Sequence, residues 1–276
     1  MLVNKILTDS EIKNRQGEFF NFDSYNQLID KDIDVYTDSG LLFSLRKKVI
    51  PKKIVNIVKK NLLPYALHAK SNCRGIATGK VNLDNMSSSI VELLDVDKFK
   101  TRVKYENGSV SKYKISNNCK SMIAGYYDKS KRTKNPTPTI RLTSFCEKHP
   151  KEWENIIIYI QYIDKLYSKL CEEDYMNRKK PKYGVIEDTI FTTLTINYNF
   201  RTACHTDNGN AGYSILTTTG KWSGCYLGYP QYGLCVNVEE GDLLIMNPYE
   251  YHCNTEFIGE SDRMSIVTYS RSGIVN

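Results

Sequence analysis

The chain has 276 residues, 41% hydrophobic and 25% charged, enough to bury a sizeable core in one large domain or two small ones. No stretch approaches the roughly 18 consecutive apolar residues of a membrane helix. Met1 to Asp9 holds no signal-peptide core or small-residue cleavage site, so the expected setting is intracellular, in nucleus or cytoplasm.

Residues 1–40 are polar and mixed in charge, and they are set apart as an N-terminal extension whose order the sequence leaves open. Residues 41–276 are expected to form one domain. Apolar residues at helical spacing behind Pro51 predict an amphipathic helix over 50–63. Gly, Asn and Ser punctuate short apolar runs through 72–145, which reads as short strands and loops. Residues 150–172 predict a second helix, with Pro150 in its first turn and Glu152 and Glu154 at its positive dipole end.

Beyond Gly184 the period changes. Ile190, Leu194, Ile196 and Tyr198 alternate with Thr193, Thr195, Asn197 and Asn199, the signature of a strand with two unlike faces. Glycines then punctuate strand-length segments, among them Leu243–Met246 and Arg263–Arg271. The expected fold class is α+β: a double-sheet β-barrel or jelly roll braced by N-terminal helices.

The formal net charge is +7. Its basic clusters are Arg46–Lys48 with Lys52 and Lys53, then Lys59–Lys60, Lys129–Lys134 and Arg178–Lys182. Phosphates reward such clusters, although a solvated basic surface also accounts for them. The eight cysteines include no CxxC pair, which argues against a zinc ribbon and for free, mostly buried thiols.

Only four histidines are present. His205-Thr206-Asp207 puts an imidazole and a carboxylate at i and i+2, on one face of an extended segment. His252 supplies a second imidazole. Two His and one carboxylate make the facial triad of non-haem Fe(II) oxygenases, leaving open positions for a cosubstrate and dioxygen. Alone, a His-x-Asp pair is weak, since a turn-forming surface pair looks the same. Arg263 and Ser265 strengthen it. An arginine and a hydroxyl on one strand face can hold a distal carboxylate such as that of 2-oxoglutarate; a surface ion pair of Arg263 with Glu260 or Asp262 is the competing reading. By the same parity Tyr269 and Arg271 share the face of Arg263, barring a bulge, and could stack on and hydrogen-bond a planar base.

The runs Thr192–Asn199, Thr202–Asn210, Gly212–Ser214, Gly241–Asp242, His252–Phe257 and Arg263–Arg271 resemble the TET/JBP nucleic-acid base dioxygenases. Upstream, Arg74–Gly79, Gly125–Asp128 and Arg141–Phe145 are similar to short motifs of JBP-like members of viral and phage type. The resemblance runs from about residue 40 to the end. It implies a double-stranded β-helix (jelly-roll, cupin-like) fold, Fe(II), 2-oxoglutarate and dioxygen, and oxidation of a pyrimidine 5-methyl group, on 5-methylcytosine or thymine, in DNA. It implies that His205, Asp207 and His252 are the iron ligands, that Arg263 with Ser265 binds 2-oxoglutarate, and that Asn210, Tyr269 and Arg271 contact a flipped base. Asn210 follows the TET pattern, where JBP-type proteins carry an acidic residue; Arg271 follows the JBP side. The resemblance extends neither to the cysteine-rich region that precedes TET catalytic domains nor to the separate base-recognition insert of the larger JBP proteins, so any DNA docking is expected from the N-terminal helices and basic loops or from a partner. RNA, a free nucleotide or a protein side chain remain alternative substrates, and a non-catalytic β-barrel binding module is the alternative to an enzyme.

Overall fold

The computed structural model describes residues 1–128, 140–178 and 185–275. In chain order the elements are α1 (Asp9–Asn14), β1 (Gln27–Ile29), β2 (Ile33–Thr37), β3 (Gly40–Arg46), α2 (Lys52–Ala66), β4 (Ile90–Leu94), β5 (Arg102–Tyr105), β6 (Ser121–Tyr127) and β7 (Arg141–Leu142). Then come α3 (Ser144–Lys148), α4 (Pro150–Leu170), α5 (Glu172–Asn177), β8 (Thr193–Tyr198), β9 (Asn210–Lys221), β10 (Leu227–Tyr229), β11 (Leu234–Val236), β12 (Leu243–Met246), β13 (Cys253–Asn254), β14 (Asp262–Arg271) and α6 (Ser272–Val275).

Eight strands form a major sheet in the order β2-β3-β12-β9-β14-β8-β6-β7, and four form a minor sheet, β1-β11-β10-β13. This is the expected double-stranded β-helix. A separate hairpin, β4-β5, stands apart from both sheets. Period-two alternation decides which side chain goes where. Leu243 and Ile245 of β12, Leu194 and Ile196 of β8, and Met264 and Ile266 of β14 join the core under α2 and α4. Leu244, Met246 and Leu216 instead meet Leu227, Tyr229 and Val236 of the minor sheet. Strands buried on both faces read as unbroken apolar runs, which is why Leu243–Met246 shows no alternation.

Both predicted helices form, α2 two to three residues later than its pattern and α4 ending at Leu170. Tyr159 on α4 reaches the sheet, its hydroxyl 2.7 Å from Thr217 Oγ1 and buried with it. The strand read over 188–199 shortens to β8, and the sheets draw on the N-terminal half of the chain as well as on the C-terminal half. Four strands of the first 127 residues, β1, β2, β3 and β6, are woven into the two sheets.

Residues 1–40 supply β1, which pairs in parallel with β11, and β2, which pairs with β3. Ile12, Phe20, Ile29 and Val35 are buried. All eight cysteines are free, and five of them are buried. The basic clusters at 129–134 and 179–182 lie outside the described residues. Among the described residues no helix is long and apolar enough to cross a membrane.

Candidate metal centre and cosubstrate cavity

His205 and His252 face each other in an antiparallel bridge, each backbone N–H donating to the other's carbonyl at 3.0 Å. This pairing brings the His-x-Asp segment against the start of β13. His205 Nδ1 lies 2.7 Å from the Ala203 carbonyl, and His252 Nδ1 lies 2.9 Å from that of Glu250. A carbonyl can only accept, so both protons sit on Nδ1 and both Nε2 lone pairs are free. The Nε2 atoms lie 3.8 Å from Asp207 Oδ1 and Oδ2 respectively. Asp207 is held in place by its N–H, which donates to the Pro248 carbonyl at 2.8 Å. One ligand atom from each of the three residues falls within 4.8 Å of the others. Two imidazole nitrogens and a carboxylate oxygen on one side, with no thiolate among them, suit Fe(II).

The electrostatics favour the ligand forms. Burial, and then the neighbouring His252, push the His205 pKa down to about 4, so the ring is neutral near pH 7. Withdrawal from water opposes ionisation of Asp207, but His205, His252 and Arg74 outweigh it and hold the carboxyl below its usual range.

Arg74, Asn197, His205, Asp207, Arg263 and Ser265 line one cavity between the sheets. Arg263 is only 3% exposed, and its Nε is buried without a hydrogen-bond partner. Its guanidinium lies 5.5 Å from the Trp222 ring. Among the described residues it makes no ion pair, so the surface pair with Glu260 or Asp262 does not form; Asp262 accepts from Tyr198 instead. A buried guanidinium with no anion beside it is costly, and an incoming carboxylate would offset that cost. Ser265 follows on the same face of β14, and Asn197 of β8 stands directly opposite it with an unpartnered Oδ1.

The residues expected to touch a base are placed less uniformly. Tyr269 keeps the parity of Ser265, with its hydroxyl 3.4 Å from Thr195 Oγ1. The register of β14 against β9 shifts between Thr268 and Ser270, and beyond that shift Arg271 faces Asn210 across the ladder. Arg271 Nε is 2.6 Å from Asp128 Oδ1. Asn210 Nδ2 donates to Ser214 Oγ at 2.9 Å. None of the three lines the cavity that holds the metal residues.

Three residues near the site were missed as site residues in the sequence. Arg74 was visible only inside a motif. Asn197 was placed on the correct strand face without a role. Tyr249, 49% exposed, donates its hydroxyl to the Asn210 carbonyl at 2.5 Å and so ties the loop before His252 to β9. A second opening, a groove of about 550 Å³, runs outward from His205 and Asp207 past Arg74 to Lys98, Phe99 and Lys100.

Residues 122–272 match the model of the Tet/JBP family, described as the oxygenase domain of the 2OGFeDO superfamily. The chain is 34% identical over 167 residues to thymine dioxygenase JBP1 of Trypanosoma brucei brucei, covering 56% of this chain and 19% of that protein. It is 35% identical over 164 residues to thymine dioxygenase JBP1 of Leishmania tarentolae, covering 56% and 20%. The chain thus spans about a fifth of the length of these relatives. The solved structure of NgTET1 in complex with 5mC DNA aligns with 98% of this chain and 93% of its own at a TM-score of 0.55 and 13% identity, a likeness of fold. With more than half of its length inside the family match, the chain belongs to the Tet/JBP family, the oxygenase domain of the 2OGFeDO superfamily.

Proposed function

We propose that this protein is an Fe(II)- and 2-oxoglutarate-dependent dioxygenase that hydroxylates the 5-methyl group of a pyrimidine in DNA, with thymine ahead of 5-methylcytosine. The observation that carries the reading is the convergence of an intact His205, Asp207, His252 cluster and an unpaired, buried Arg263 on one cavity. The names of the relatives, thymine dioxygenases, favour thymine; Asn210, an amide able to donate and accept, keeps cytosine in play. Residues 41–276 act in this reading as one dioxygenase domain, with residues 1–40 built into its sheets.

When bound, the metal and 2-oxoglutarate would activate dioxygen, the oxidant: one of its oxygen atoms enters the methyl C–H bond and the other enters succinate as 2-oxoglutarate loses carbon dioxide. The chain's own contribution is placement. His205, Asp207 and His252 would hold the metal. Arg263 pairs with the distal carboxylate of 2-oxoglutarate, assisted by Ser265, in a cavity screened from water. In this reading Tyr269, Asn210 and Arg271 would contact the substrate base from outside the metal cavity, and Arg271 and Asn210 would have to exchange their present partners, Asp128 and Ser214, to do so. A base inside a duplex cannot reach this cavity, so it has to be flipped out.

The test is incubation with Fe(II), 2-oxoglutarate and duplex DNA carrying thymine or 5-methylcytosine, followed by nucleoside mass spectrometry. A 5-hydroxymethyl product on either base supports the reading. Absence of product on both, with succinate formed when RNA, free nucleotide or a peptide is offered, overturns the DNA assignment. Absence of succinate under every condition leaves a binding module.

A further inference from the structure

The groove that opens outward from His205 and Asp207 has a basic rim that the cosubstrate cavity does not use. The rim belongs to the turn of the β4-β5 hairpin. Asp97 organises that turn: its Oδ1 accepts from the Phe99 N–H at 2.9 Å and the Lys100 N–H at 2.6 Å, and its own N–H donates to the Lys100 carbonyl at 2.9 Å. The Asp97 carboxylate also lies 3.7 Å from Lys114. Its oxygens are thus turned to the backbone of the turn and to Lys114, and it makes no ion pair with Lys98 or Lys100.

The other cations of the hairpin are occupied. Arg102 pairs with Asp95, and Lys104 with Glu92 at 3.3 Å. Lys98 and Lys100 are exposed and make no ion pair among the described residues. Two uncompensated ammonium groups thus stand on the lip of a groove whose floor holds two of the metal-cluster residues.

Phe99, between them, lines the groove too, and the Lys98 ammonium lies 5.3 Å from the centre of its ring. Its ring occupies the space above Gly17, where an added Cβ would come within 2.1 Å of it. Gly17 also has φ +78°, and its N–H donates to the Cys204 carbonyl at 2.8 Å. The contact therefore links the hairpin turn, through one glycine, to the residue before His205. The Lys100 stem lies over Gly75, next to Arg74. An aromatic plug and a glycine seat hold the two lysines at a set distance from the metal cluster.

We propose that the Asp97–Lys100 turn is a phosphate clamp for the DNA strand, with Lys98 and Lys100 contacting the phosphates that flank the extruded nucleotide and Phe99 acting as the positioning anchor. The proposal rests on the base-oxidation reading above. A nucleotide entering the groove carries its two flanking phosphates to the rim, because it stays covalently joined to its strand. Each neutralised phosphate adds about 0.9 to the salt slope of binding to duplex DNA.

The experiment measures KM for a 5-methylpyrimidine duplex, and duplex binding by fluorescence anisotropy, from low to moderate salt in the full chain. The Lys98→Ala/Lys100→Ala variant is expected to raise the DNA KM about tenfold or more and to flatten the salt slope by about 2. Its KM for 2-oxoglutarate should stay unchanged. Phe99→Ala should raise the DNA KM at constant net charge. Lys165→Ala/Lys169→Ala, an equal charge loss on exposed positions of α4, should do neither. Unchanged DNA KM and slope in the Lys98/Lys100 variant, or equal changes in the α4 control, would overturn the clamp. The two readings fail separately. Wild-type protein that makes no hydroxymethyl base sinks base oxidation, while anisotropy still reports on the clamp.

Discussion

At the residue scale, the site depends on groups that are correct only in combination. The Ala203 and Glu250 carbonyls fix which nitrogen of each imidazole is free, so His205 and His252 are preorganised before a metal arrives. His205→Ala or Asp207→Ala should therefore abolish Fe(II)-dependent succinate formation and weaken Fe(II) or Mn(II) binding in calorimetry; full turnover in either variant would remove that residue from the ligand set. Arg263 is the counterpart for the cosubstrate. Losing its hydrogen bonds to a carboxylate should cost about 1.5–3 kcal/mol, a rise of roughly 10- to 100-fold in KM for 2-oxoglutarate. Steady-state kinetics of Arg263→Ala check this, and an unchanged KM would place the cosubstrate elsewhere. Of these residues, His205, Asp207 and Arg263 were legible in the sequence because strand parity puts i and i+2 on one face. Arg74 was not, since it sits 131 positions before His205 and nothing local marks the contact.

At the element scale, β14 is the hinge between core and site. Met264 and Ile266 pack under the helices while Arg263 and Ser265 face the cavity. The neighbouring β9 approaches it so closely at Gly220 that a Cβ there would lie 1.6 Å from the Asp262 carbonyl, at φ +113°. Gly220→Ala should force the strands apart beside Arg263, costing about 2 kcal/mol or more in thermal or urea denaturation and raising the 2-oxoglutarate KM with it. On the opposite face α4 braces the sheet through Tyr159. Tyr159→Phe leaves the buried Thr217 and Thr268 hydroxyls a partner short, for a loss of about 1 kcal/mol. The KM values should not move, because the hydroxyl lies on the helix side of the sheet. A large change in 2-oxoglutarate KM would mean that the brace tunes the site.

At the scale of the whole molecule, the first 40 residues close both sheets. β1 covers β11, β2 covers β3, and Ile12, Phe20, Ile29 and Val35 are buried. Burying each such side chain contributes about 1.5–3 kcal/mol, and their sum is comparable to the whole net stability of a domain, about 5–15 kcal/mol. Deleting residues 1–39 should give a chain without a cooperative thermal transition by circular dichroism; a truncated protein that melts like the full chain would show the segment to be dispensable.

What the sequence determined by itself was whatever depends on near neighbours. Helical spacing specified α2 and α4, period two specified β8 and β14, and the two-residue step of His205 to Asp207 specified a shared face. The tertiary structure decided what depends on distant partners. It brought His252 against His205 through two backbone hydrogen bonds, left Arg263 without an acidic partner among the described residues, and drew polar N-terminal segments into the sheets as edge strands. An edge strand such as β2 buries only part of its surface, so its apolar pattern is faint, and its place is set by the ladder that receives it. The register shift between Thr268 and Ser270 is of the same kind: parity along β14 reaches Tyr269, but what Arg271 meets is settled by the irregular start of β9 and by Asp128.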